Sequence, residues 1–194
     1  MKKWLFNPFV YVAGARSLAI GWAIMLLTAV ICYYSHTHFD GVIDAHTGRI
    51  TPLYVYFAES FIDWVCMVLL FYPACLIFSK SSIRFIDVAG TMALARWPLI
   101  FYAIIGFGLS PAGIDGHSDI NTLLAHITLP MMALAFLGAV FVIWMIALMY
   151  NAFAISGNVK GGKATIVFIA CLLIAEGLSK IIFHHLYLHL IQTK

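Results

Sequence analysis

The stretch 35–48, Ser-His-Thr-His-Phe-Asp-Gly-Val-Ile-Asp-Ala-His-Thr-Gly, places His36, His38, Asp40, Asp44 and His46 within eleven residues. Imidazole nitrogens and carboxylate oxygens are ligands of divalent metals, and a loop turned at Gly41 would let these five side chains converge. A ligand from further along the chain, such as His117 or Asp119, would complete the sphere. The spacing follows no zinc-finger or zincin pattern. The simpler reading is a wet interface populated by polar-tipped residues, with Tyr33 and Tyr34 beside it. Because histidine titrates near neutrality, the same surface would respond to pH. No cofactor is expected beyond this candidate divalent metal.

A second group of chemical side chains lies inside apolar runs: Glu59, Asp63, Arg96, Glu176 and Lys180. Ionisable residues at such depth are costly, which makes them functional candidates. Glu59 and Asp63 stand four apart, on one helical face, as do Glu176 and Lys180. At about 1.5 Å per residue, Asp63 lies roughly 15 Å from Leu53, and Arg96 about as far from Ile86. These two are expected to neutralise each other across a helix contact. A proton or ion relay is the functional reading, and paired charges that fix helix register are the structural one. No Ser/His/Asp, HExxH or paired-carboxylate motif gives strong support to catalysis. Gly157-Asn-Val-Lys-Gly-Gly-Lys163 imitates the start of a P-loop, but Ala164 replaces the magnesium-binding Ser or Thr and no strand precedes it.

The elements that must carry these residues follow from the composition. The 194 residues are 63% hydrophobic and only 10% charged, with mean hydropathy +0.99. A water-exposed sphere of this size cannot be clothed with so few charges, so the chain is dissolved in lipid. Net charge +3 is too small and scattered for a nucleic-acid partner. Five runs, about 17–34, 53–78, 86–109, 127–150 and 164–186, are long enough to span as helices. Connections are short, so residues 1–194 read as one domain. Residues 1–16, with Trp4, Phe6, Phe9 and Tyr11 beside Lys2, Lys3 and Arg16, read as a retained segment at the inner interface. Pro98 is expected to kink the third span, Pro73 to bend the second, and Pro130 to sit harmlessly in a first helical turn. The cysteines 32, 66, 75 and 171 fall in apolar runs and read as packing residues.

Seven of the eleven Lys and Arg side chains fall on one side when the N-terminus is cytoplasmic. The charge bias therefore predicts N-in and C-out, with the histidines at the outer side. His117 and His126 join Asp115 and Asp119 in the second outer loop, and His184, His185 and His189 close the fifth span.

Three segments together resemble the Yip1 family of small polytopic membrane proteins: Asn7-Pro8 before span one, Ser82 to Pro98 entering span three, and Trp144 to Phe153 continuing through Gly161-Gly-Lys-Ala164. The resemblance covers about residues 7–175. It implies a five-helix bundle with a cytoplasmic N-terminus and an exported C-terminus. Eukaryotic members act in vesicle traffic and associate with Rab GTPases. The chain lacks their long cytosolic tail and DLYGP motif, so the likeness implies a compact bacterial-type protein of the inner membrane. Bacterial members are mostly without an assigned activity, and the first functional expectation is a non-enzymatic protein that organises lipid, membrane-protein partners or further copies of itself through its bundle. A small transporter using the buried charges and an outer-face metalloprotein are the alternatives.

Overall fold

The computed structural model describes residues 2–48, 50–109 and 128–192. Five helical segments in it are long and apolar enough to cross a membrane, so the chain is a helical membrane-type protein. Helix α1 (Lys2–Phe6) and a 3-10 turn at Pro8–Val10 precede α2 (Gly14–Ser35). Two short strands follow, β1 (Thr37–His38) and β2 (His46–Thr47), and then α3 (Leu53–Phe78). The third span is divided into α4 (Phe85–Ala95) and α5 (Leu99–Leu109). Helices α6 (Leu129–Ser156) and α7 (Gly161–Gln192) complete the described chain.

Local chemistry sets these limits. Pro52, extended at φ −61°, precedes α3. Pro130 lies in the first turn of α6, where a missing N–H costs nothing, and the Thr128 hydroxyl accepts from the Met131 amide. Pro73 is held within an unbroken α3. At Pro98 the expected kink becomes a full break. Proline has no N–H to offer the Leu94 carbonyl, which accepts from Trp97 instead at 3.2 Å. Arg96 likewise turns back on Ala93 at 3.3 Å. The fourth and fifth helices also run past their expected limits, to Ser156 and Gln192.

Helix α4 is the centre, its residues Val88 to Ala95 all buried. It packs along α2 on one side and α6 on another, and touches α3, which carries α7 on its far face. Small residues make the α2–α4 contact possible. A Cβ at Gly21 would lie 2.5 Å from the Leu94 nitrogen, and one at Gly90 would lie 2.5 Å from the Gly14 carbonyl oxygen. With backbone against backbone, Ser17 Oγ donates to the Gly90 carbonyl at 3.0 Å. The outward faces of the helices are apolar, with Leu69, Phe136, Ile143, Ile166 and Leu173 all exposed, as a lipid-facing girdle requires.

The N-terminal segment docks on α6. Trp144 Nε1 donates to the Leu5 carbonyl at 3.0 Å and Asn151 Nδ2 to that of Phe6 at 2.7 Å. Phe9 is buried in the core while Trp4 stacks on Tyr11 with both rings exposed.

The tight contact yields a prediction. Gly90→Ala and Gly21→Ala should each cost about 1–3 kcal/mol, because neither neighbouring backbone can yield. Gly177→Ala, with open space around it, should leave the melting temperature in detergent unchanged. Equal effects at all three positions would refute the close α2–α4 packing.

Candidate functional site

The two groups of chemical residues in the sequence turn out to be one construction. Segment 36–48 is buried on one side and open on the other, where Asp44 and His46 keep side-chain exposures of 40% and 43%. Thr37, His38, Phe39 and Val42 are buried, and the segment folds as a hairpin pushed into the end of the bundle. Its strands pair Thr37 with Thr47 and His38 with His46. Helix α2 ends where His36 turns left-handed at φ 51°, and the Gly48 amide closes on the His36 carbonyl at 3.1 Å.

Between the strands the backbone has no sheet partner, and charged or hydroxyl side chains from the surrounding helices replace one. The Phe39 amide donates to Glu59 Oε2 at 3.2 Å. The Val42 amide donates to Ser179 Oγ at 3.3 Å, and that of Ile43 to Glu176 Oε2 at 2.9 Å. Arg96 Nη1 donates to the Val42 carbonyl at 3.3 Å, and the Tyr102 hydroxyl to that of Ala45 at 2.9 Å. Helices α3, α5 and α7, with Arg96 at the α4–α5 break, thus supply the hydrogen bonds of a segment that can make few of its own. Unpaired backbone in an apolar interior costs several kcal/mol per group, which explains why such expensive side chains are there.

Glu59, Asp63, Arg96 and Lys180 also have side-chain partners, whereas Glu176 is shown on backbone alone. Arg96 Nη2 lies 2.8 Å from Asp63 Oδ2, the expected pair, with both side chains almost wholly buried. Glu59 Oε1 is 2.6 Å from His38 Nδ1 and accepts from the Tyr187 hydroxyl at 2.5 Å. His38 stacks on Tyr56 with ring centroids 4.6 Å apart. The i, i+4 spacing of Glu176 and Lys180 suggested a pair, but they serve the hairpin separately. Lys180 Nζ bonds Asp40 Oδ1 at 3.0 Å and also Asp44 Oδ2. Burial alone would raise the Asp44 carboxyl, yet the hydrogen bond and charge of Lys180 bring it below its ordinary value. Gly41 admits Glu176, since a Cβ there would lie 2.5 Å from Oε1.

Of the five proposed metal ligands, the hairpin gathers three. Ligand atoms of Asp40, Asp44 and His46 lie within 4.8 Å of one another, and His46 Nδ1 is 3.5 Å from Asp40 Oδ1. His38 points to Glu59 instead, and His36 stands outside the group. His117, His126, Asp115 and Asp119 fall outside the described residues. His184 and His185 are exposed on α7. The P-loop-like stretch opens α7 at Gly161, with Lys163 Nζ set 5.0 Å above the Phe78 ring. Among the described residues, the four cysteines are free and buried.

Sequence reasoning missed Tyr102, Ser179 and Tyr187. A signal existed on α7: Glu176, Ser179, Lys180, Phe183 and Tyr187 follow i, i+3, i+4, i+7, i+11, a stripe that is polar at four of five positions within an apolar helix. No protein-family model, curated protein or solved structure matches the chain.

Two predictions follow from the docking. Asp63→Asn and Arg96→Gln should each destabilise by about 3–5 kcal/mol, since each strands a buried partner. The double variant should recover much of that loss in a thermal double-mutant cycle, and zero coupling energy would refute the pair. Gly41→Ala should lower the melting temperature by displacing Glu176 from the Ile43 amide. It should then be non-additive with Glu176→Gln, whereas additivity would mean that the two act apart.

Proposed function

We propose that the chain is a non-enzymatic polytopic membrane protein of the Yip1-like type, which organises lipid or partner membrane proteins through its bundle. One observation carries the choice against transport: Glu59, Asp63, Arg96, Glu176 and Lys180 are all engaged in holding the hairpin or one another. A relay needs groups free to exchange protons or ions along a path, and the deeper four, Glu59, Asp63, Arg96 and Glu176, are spent on anchoring. The ordered order and spacing of Asn7-Pro8, the Ser82–Pro98 segment and Trp144–Phe153 support the family reading. The Lys and Arg bias supports an inner, cytoplasmic N-terminus and an outer C-terminus, in a bacterial plasma membrane.

Purified protein in liposomes loaded with a pH-sensitive dye tests the choice. The expected result is no proton flux above protein-free liposomes under an imposed gradient and potential. A flux that Asp63→Asn abolishes would establish the transport reading instead.

Orientation has its own test. Ile50→Cys and Lys160→Cys place exposed thiols at opposite ends of the bundle, against native thiols that are buried. In intact cells an impermeant maleimide should label position 50 and not 160. The reverse pattern would invert the topology.

A further inference from the structure

We propose that Asp40, Asp44 and His46 form a divalent-cation site in which the ammonium of Lys180 is the resident cation that a metal displaces. This goes beyond the organising role proposed above and does not depend on it.

The three groups meet at the mouth of the hairpin. Two ligands at about 2.1 Å from one metal lie at most about 4.2 Å apart. Ligand atoms already within 4.8 Å therefore need only a slight closing. One imidazole and two carboxylates suit a borderline transition cation of the zinc or nickel class, with water completing the sphere. The backbone carrying them is fixed from outside the group: Glu176 holds Ile43, Ser179 and Arg96 hold Val42, and Tyr102 holds Ala45. A preset ligand frame loses little freedom on binding. Asp44 and His46 are partly exposed, with side-chain exposures of 40% and 43%, so an ion can reach them.

The Lys180 ammonium lies between the two carboxylates. Its Nζ bonds one oxygen from each aspartate, as a cation bridging the two would. One ammonium against two carboxylates leaves a negative charge in excess, which a divalent ion cancels. The lysine side chain is 40% exposed, and its flexible stem can carry the charge outward to the headgroup level. Exchange therefore releases the ammonium from the hairpin while the Glu176 and Ser179 anchors remain. Metal binding thereby loosens one specific tie between α7 and the hairpin.

Titration calorimetry of untagged protein in detergent with zinc chloride at neutral pH tests this. One zinc per chain is expected. Lys180→Met should bind about tenfold or more tightly, since the competing charge is gone. Asp44→Asn and His46→Gln should each weaken binding by at least about tenfold. The His46 ring makes its polar contact with Asp40 and not with hairpin backbone, so His46→Gln carries the test should Asp44→Asn fail to fold. The double variant His184→Gln with His185→Gln should bind as the parent does. Absence of zinc binding in Lys180→Met would overturn the proposal. So would binding that persists in His46→Gln and disappears in the His184/His185 variant.

Discussion

A peptide segment without helix or sheet partners, placed inside an apolar bundle, must have its N–H and C=O groups bonded or it will not stay there. Residues 39–45 are such a segment, and the rest of the bundle is arranged around that need. Glu59 on α3, Arg96 at the α4–α5 break, Tyr102 on α5, and Glu176 with Ser179 on α7 each give a hydrogen bond to hairpin backbone. The break at Pro98 belongs to the same arrangement, because Arg96 lies at the C-terminus of α4, where the chain leaves the helix. Its side chain joins the Val42 carbonyl to Asp63.

This need changes how the buried charges are understood. Taken singly, each is a costly ion in lipid and a candidate for transport. Taken with the hairpin, carboxylates supply acceptors for amides that have no carbonyl to bond, and Arg96 supplies the donor for a carbonyl that has no amide. Neutral side chains could fill several of these roles. The charged ones add electrostatic partners, Asp63 to Arg96 and Lys180 to Asp40, which tie together segments distant in sequence. Removing Arg96 strands both the Asp63 carboxylate and the Val42 carbonyl, so these groups should respond to substitution as a unit.

Much of this was legible in the sequence. Apolar runs of spanning length located the five segments to within a few residues, apart from the far ends of α6 and α7. The pairing of Asp63 with Arg96 followed from equal depth. The break at Pro98 was foreseen as a kink, because proline chemistry is local. What was not legible was the path of residues 36–48. Polar loops between spans are ordinarily solvated, and nothing in His-Thr-His-Phe-Asp-Gly-Val alone says that it turns inward. The information lay in the comparison of segments: acceptors and donors buried on α3, α5 and α7 exceeded what they could satisfy among themselves. Phe39 and Val42, apolar in an otherwise polar stretch, were the local counterpart of that excess.

Amide hydrogen exchange of the unmodified protein in lipid nanodiscs tests the central claim most directly. The amides of Phe39, Val42 and Ile43 should exchange as slowly as those in the middle of α3, because each is bonded to a side chain of the bundle, Glu59 and Ser179 being buried and Glu176 partly so. Exchange at the rate of a solvated loop at these three positions would contradict the docked hairpin, and with it the explanation of every buried charge in the bundle.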